Sequence, residues 1–162
     1  MAVLNCVSST VSNCNHIAAG VTCIYVIYQG ATQEIEIQLT NNDSTKLDLD
    51  TITDIYLIMY DDANTVIHKF KYPTETPVDT INILQNVYND VILDKGLISI
   101  ELTETMTGNM ISGGLYVEMK LTDTNEKKYV IGCLKVGKVK RSVINKYDYE
   151  QDNPDIDIES IL

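Results

Sequence analysis

The sequence predicts an all-β fold, an antiparallel sandwich or barrel. Three observations carry the prediction. Apolar and polar residues alternate with period two in several separate stretches, the pattern of a strand with one wet face. The composition favours pleated surfaces: Tyr occurs 10 times against one Phe and no Trp, and Ile, Val and Thr are frequent throughout. Short clusters of Asn, Asp, Gly and Pro separate the alternating stretches at intervals that suit hairpins. No repeat of fixed period is visible.

The elements follow in order. Residues 1–20 are small, uncharged and rich in Ser, Asn and Ala, with neither a helical stripe nor a long alternation, and they predict an arm that something covers. Thr22 to Tyr28 is a β-rich run closed by Gln29-Gly30. Ile35, Ile37 and Leu39 then alternate strictly with Glu34, Glu36 and Gln38. Asn41 to Ser44 carry turn chemistry, because Asn and Asp tolerate left-handed backbone and bond their own main chain. Leu47 and Leu49 alternate briefly with Asp48 and Asp50. Asp54 to Tyr60 is the most apolar stretch and predicts a central strand. Asp61 to Asn64 form a hairpin turn, Thr65 to Tyr72 the return, and Pro73 and Pro77 a loop. Over 78–95, Ile81, Leu84, Tyr88, Val91 and Ile92 fit one face of a helix while Ile83 and Val87 do not, which leaves a short helix or an irregular strand. After Asp94-Lys95-Gly96, the stretches Leu97 to Leu102, Leu115 to Leu121 and Lys128 to Val136 read as strands, with Thr103 to Gly108 as a corner or single helical turn. That makes about seven or eight strands.

At 162 residues and 18.1 kDa the chain is one domain with extra segments, long enough to bury a core without staples. The formal net charge of −11 argues against gripping nucleic-acid phosphates. No stretch approaches the roughly 18 consecutive apolar residues of a membrane-spanning helix. The charge is divided along the chain. Residues 1–33 carry none, 34–126 carry −12, 127–146 carry +7 with no acid, and 147–162 carry −6 with no base.

Chemistry is sparse. Cys6, Cys14, His16 and Cys23 are the possible metal constellation, but their spacings lack the C-x₂₋₄-C knuckle of structural zinc, so they read as small thiols. With no Lys or Arg before residue 34, there is no basic region to open a secretory signal. Synthesis in a reducing cytoplasm with free thiols is the expectation. His68 lies in an alternating run and reads as solvent-facing, and no Ser, Cys or second His converges on it for a nucleophile–base triad. The pairs Glu34/Glu36, Asp48/Asp50 and Asp61/Asp62 read as solvated faces or turns; glycosidase chemistry needs carboxyls opposed across a cleft, and no D-x-D-x-D-G calcium loop is present. No phosphate-binding glycine motif occurs. Expected catalytic residues, metal ligands and cofactors are therefore none.

The basic block is the feature with a functional reading. Lys135, Lys138, Lys140, Arg141 and Lys146, with Lys127 and Lys128 before them, suit nucleic acid, an acidic strip of protein, or a strand edge kept soluble by Lys. The acidic tail behind it carries Ile156, Ile158, Ile161 and Leu162, and Asp155 to Glu159 alternate like a strand. Such a segment can add to a neighbour's sheet edge, its carboxylates meeting a basic strip. Lys135, Lys138, Lys140, Arg141, Lys146 and these four apolar residues form the expected assembly interface.

The order of motifs also resembles a family. Tyr28-Gln29-Gly30-Ala31 enters an alternating strand, Leu47-Asp48-Leu49 precedes a strand ending Met59-Tyr60, and Ile98 to Leu102 runs into Thr103-Glu104-Thr105. Gly113-Gly114-Leu115-Tyr116-Val117-Glu118 and Leu121-Thr122-Asp123 follow. Over about three-quarters of the chain this is similar to the immunoglobulin-like N-terminal module of phage baseplate upper proteins. The uncharged Cys-containing start lies outside that pattern and resembles tail and neck proteins of crAss-like phages. The resemblance implies an immunoglobulin-like β-sandwich over 21–145, with the arm at 1–20 and the tail at 146–162. It implies a non-enzymatic structural subunit of a virion (tail, neck or portal-vertex ring, or baseplate), made in the host cytoplasm. Its expected partners are copies of itself and other virion proteins, without direct nucleic acid or membrane contact. The alternative is a glycan- or cell-surface-binding module, which exposed Tyr25, Tyr28, Tyr56, Tyr60, Tyr72 and Tyr116 clustered on one face would favour.

Overall fold

A computed structural model describes residues 9–13 and 17–141. Twelve strands follow in order: β1 (Ser9–Asn13), β2 (Ile17–Val21), β3 (Tyr25–Tyr28), β4 (Gln33–Asn41), β5 (Ile52–Asp61), β6 (Val66–Tyr72), β7 (Asn82–Ile83), β8 (Asn86–Tyr88), β9 (Val91–Leu93), β10 (Leu97–Leu102), β11 (Gly113–Asp123) and β12 (Lys128–Lys140). One short helix, α1 (Glu104–Gly108), and two 3₁₀ turns, Leu49–Thr51 and Pro77–Asp79, interrupt them.

The strands form two five-stranded sheets and a separate hairpin. One sheet runs β1-β2-β4-β10-β7, the other β3-β12-β11-β5-β6, and β8 pairs only with β9. Neighbours are antiparallel except β3, which runs parallel to β12. In the immunoglobulin scheme, β2, β4, β10 and β7 take the places of strands A, B, E and D, and β12, β11, β5 and β6 those of G, F, C and C′. The first strand switches sheets between β2 and β3, as immunoglobulin-like chains do when their leading segment serves both layers. The chain is an all-β sandwich of this order.

The core forms where the alternating residues of both sheets meet. Ile35, Ile37 and Leu39 of β4 face Leu57 and Met59 of β5, Val117 and Leu121 of β11, and Leu134 of β12, all fully buried, with Phe70 of β6 beside them. The carboxylates between the two halves of each alternation point outward, so the period-two reading holds there. α1 is the expected single turn: the Thr103 hydroxyl accepts from the Met106 backbone N–H, an N-cap bond, and the Thr107 hydroxyl donates to the Ala31 carbonyl at 2.7 Å.

Three expectations change. The arm at 1–20 is in part a component of the sandwich: β2 pairs with β4 and buries Ile17, Ala19 and Val21, so its own domain covers it from residue 17 on. Over 78–95 the helix alternative falls and the irregular strand holds: the stretch gives the end of a 3₁₀ turn, β7 and the β8–β9 hairpin. The Lys-rich β12 is only in part an edge: β3 pairs with its far side over Gly137–Lys140, so edge protection does not explain Lys138 and Lys140, whereas Lys128 and Lys135 lie on the stretch that β3 leaves unpaired.

The loops 42–51, 84–96 and 124–127 lie together at one end. Gln85 ties two of them: its Oε1 accepts from the backbone N–H of Leu49 at 2.8 Å and of Gly96 at 3.1 Å, and its Nε2 donates to Asp48 Oδ1 at 2.8 Å. The Thr124 N–H donates to the Thr51 carbonyl at 3.0 Å, which brings in the third.

Candidate docking face

The outer surface of the β3-β12-β11-β5-β6 sheet collects lysines from three of its strands, β6, β11 and β12. In antiparallel pairs, opposed residues share a face. Lys71 stands opposite Tyr56, which stands opposite Lys120, which stands opposite Val130. Lys69 opposes Ile58, Lys128 opposes Thr122, and Lys135 opposes Tyr116. Lys138 and Lys140 flank Val26 and Tyr28 of the parallel strand β3. Seven lysines therefore share one face, six of them next to a buried residue and Lys128 next to half-buried Tyr129, which fixes their direction. Two carboxylates, Asp54 and Glu118, stand at outward positions among them. Among the described residues, His68–Asp79 is the ion pair, so none of the seven ammonium groups has a carboxylate partner within 4.0 Å. Unpaired like charges on one sheet repel, and they raise the local potential for anything acidic that approaches.

The face has apolar and aromatic ground between the charges. Val26, Tyr28 and Val130 are exposed. The rings of Tyr60 and Tyr116 stack with centroids 5.7 Å apart. Partial burial, then the Cys133 thiol and the Glu118 carboxylate, push the Tyr60 hydroxyl up to about 12. A hydrogen bond to Asp62 raises Tyr116 as well. A cleft of about 720 Å³ opens at the β5–β11 end, lined in part by Asp54, Tyr56, Lys71, Lys120, Thr122 and Lys128.

The opposite sheet carries the other sign. The outward positions of β4 and β10 hold Glu34, Glu36 and Glu101, with no Lys or Arg. Glu34 and Glu101 stand directly opposite each other, an arrangement that disfavours the sheet itself. The sandwich is thus polar across its thickness, basic on one side and acidic on the other.

The sequence-predicted residues divide accordingly. Lys135, Lys138 and Lys140 lie together on the face, and exposed Arg141 ends the described segment. Lys146, Ile156, Ile158, Ile161 and Leu162 lie outside the described residues. Lys69, Lys71 and Lys120 complete the face and were not part of the expected strip, because each sits in the acidic middle of the chain and only sheet pairing unites them. Of the tyrosines, Tyr28, Tyr56, Tyr60 and Tyr116 share the face. The Tyr25 hydroxyl instead accepts from the Glu36 N–H, and Tyr72 packs on the core.

The remaining candidates serve the fold. His68 is not solvent-facing: it opposes buried Met59, its ring meets Phe70 edge-on at 4.8 Å, and its Nε2 lies 2.6 Å from Asp79 Oδ1. It keeps the alternation that puts Phe70 inward, and the register shift between Met59 and Tyr60 displaces Val66 and Ile67 beyond it. Asp61 accepts from the N–H groups of Ala63 and Thr65, and Asp62 from that of Gly114; Asp48 is occupied by Gln85 and Asp50. These carboxylates tie turns, Asp61 while buried and Asp48 and Asp62 while still open to water. Cys6, Cys14 and His16 lie outside the described residues. Cys23 is disulfide-bonded, which corrects the free-thiol expectation at that position and removes it as a thiolate ligand, while Cys133 is a free, exposed thiol. Among the described residues no group of three or more His, Cys, Asp or Glu is placed to hold a metal ion.

No family model matches the chain, and no curated protein or solved structure matches it.

Proposed function

We propose that this chain is a structural subunit that assembles through its lysine face, which receives an acidic segment of a neighbouring chain. One observation carries the reading: seven lysines without a carboxylate partner among the described residues, interleaved with tyrosines and exposed valines, on one sheet of a chain whose net charge is −11. A solvated surface needs no such segregation. Evenly mixed signs keep a protein soluble, whereas a face of seven lysines and two carboxylates, opposed by a face of the other sign, orients partners and raises their encounter rate. The role proposed is mechanical, with the sandwich as a rigid block. The setting proposed is the one that the motif resemblance implies, a ring, tail or baseplate of a phage virion.

The test is sedimentation velocity of the full chain as salt rises from about 0.1 M to about 1 M, over which the screening length falls from about 10 Å to about 3 Å. Self-association that weakens with salt, and is lost on replacing Lys120, Lys135 and Lys138 by Glu, is the expected result. Association insensitive to both contradicts it. Tight binding of single-stranded DNA to the same face, with no self-association, would assign the lysines to nucleic acid instead.

A second reading is a module that binds an acidic glycan, favoured by the Tyr60–Tyr116 stack among the lysines. Binding of a sulfated rather than a neutral oligosaccharide, lost on Tyr60→Ala and Tyr116→Ala, would distinguish it.

A further inference from the structure

We infer that the β8–β9 hairpin of one copy seats on the lysine face of the next, so that the chain carries both halves of its own assembly contact. The inference rests on the face being an assembly surface, and it names the occupant.

The hairpin is built for contact and, among the described residues, pairs with no strand of the sandwich. It is a two-stranded sheet apart from the sandwich, with Asn86, Val87 and Tyr88 opposite Leu93, Ile92 and Val91. Such a hairpin is marginal in water by itself. Asn89 and Asp90 both take positive φ, 49° and 64°, the pair of left-handed residues that a tight two-residue hairpin turn requires. Every residue from 86 to 94 is exposed, and five of them are large and apolar: Val87 at 62 %, Tyr88 at 67 %, Val91 at 56 %, Ile92 at 38 % and Leu93 at 42 %. Contiguous apolar exposure of this kind marks an interaction site. Its root is held firmly, by the three hydrogen bonds of Gln85 and by the Leu84 N–H to the Leu97 carbonyl at 3.0 Å, so the arm is presented rather than loose.

Charge selects the occupant. The hairpin's charges are Asp90 and Asp94, and its surface is otherwise apolar or amide. The lysine face offers the converse, ammonium groups around exposed Val26, Tyr28 and Val130. The segment 147–162 carries six acids and no base, the same sign as the hairpin, and is a poor cover for it. Because the arm grows from the β7–β10 pair of the opposite sheet, the match is between different copies. A contact that uses two different patches is heterologous, and repeats into a ring or a filament.

The test uses sedimentation velocity of full-length variants, with thermal unfolding as a check of folding. Two hairpin variants, Val87→Ser with Ile92→Ser, and Tyr88→Ser with Val91→Ser, sample its two faces and touch no core residue. A face variant carries Lys135→Glu, Lys138→Glu and Lys140→Glu. At least one hairpin variant should lose self-association by about 30-fold or more, as the face variant does, with its thermal midpoint kept. Mixed in equal amounts, a hairpin variant and the face variant should form a dimer that grows no further, since each keeps one intact half. Hairpin variants that associate like the wild type, beside a face variant that does not, overturn the hairpin and leave the face reading standing; loss on truncation after Lys146 would then make the acidic tail the occupant. A mixture that stays monomeric overturns the direct contact. A wild-type chain that is monomeric at all concentrations overturns both readings together.

Discussion

Replacing Gln85 by Ala should loosen the end of the sandwich from which the hairpin projects. The side chain accepts from two backbone N–H groups, of Leu49 and Gly96, and donates to Asp48. Leu49 and Gly96 are buried, so truncation leaves two donors without acceptors, each worth about 1–3 kcal/mol. Water reaches part of the site, which places the sum at about 2–4 kcal/mol. At about 2–4 °C per kcal/mol for a chain of this size, the thermal midpoint should fall by roughly 4–16 °C. A second readout is specific to the geometry. The hydrogen bond from Gln85, then that from the Asp50 N–H, holds the Asp48 carboxyl below its ordinary value. A group lowered on folding contributes stability above its unfolded pKa and loses it as pH falls through the folded one. Gln85→Ala removes the largest cause, so Asp48 should titrate higher in NMR, and the stability gap between wild type and variant should narrow on acidification. A loss under about 1 kcal/mol, with the Asp48 titration unmoved, would refute the role of Gln85 as the tie.

Other predictions follow from the same packing. Gly96 has φ +76°, and a Cβ there would meet the carbonyl oxygens of Leu39 and Leu47, the latter at 2.9 Å; Gly96→Ala should cost about 3 kcal/mol or more in urea unfolding, while Gly108→Ala, with open space around it, should change stability by less than about 1 kcal/mol. Phe70 is fully buried, and Phe70→Ala should cost about 3–5 kcal/mol by the same assay. Tyr60, held near 12, should ionise late in an ultraviolet titration. Its folded pKa lies above the unfolded value of about 10, so its contribution is intact below pH 10 and lost between about 10 and 12, and Cys133→Ala should move its titration downward.

The alternation of Glu34 to Leu39, Leu97 to Leu102 and Leu115 to Leu121 predicted both strands and facing, because charged and apolar side chains contrast at every step. β1 and β2 were not legible: Ala18, Ala19 and Gly20 differ too little in polarity to mark a buried side. The stretch 78–95 stayed divided between helix and irregular strand for the opposite reason, since Tyr88, Val91 and Ile92 are apolar and face water, and a pattern of apolar positions presumes burial. The lysine face was half legible. Lys135, Lys138 and Lys140 are close in sequence, whereas Lys69, Lys71 and Lys120 join them through pairings of β6, β5, β11 and β12 that no local pattern encodes. His68 was misplaced because its polarity was read in place of its parity: it alternates in step with buried Phe70, and Asp79, which bonds its ring, comes from outside the strand. The bond at Cys23 was not readable from cysteine spacing, because pairing depends on distances in the fold.

The central claim is that the lysine face is covered when copies assemble. Amine-reactive footprinting compares each lysine between a dilute and an assembled sample, read by peptide mass spectrometry. Lys120, Lys135, Lys138 and Lys140 should lose reactivity on assembly, while Lys46, exposed at the far end of β4, should keep it. Equal reactivity of the face lysines in both samples, or protection at Lys46 alone, would contradict the account.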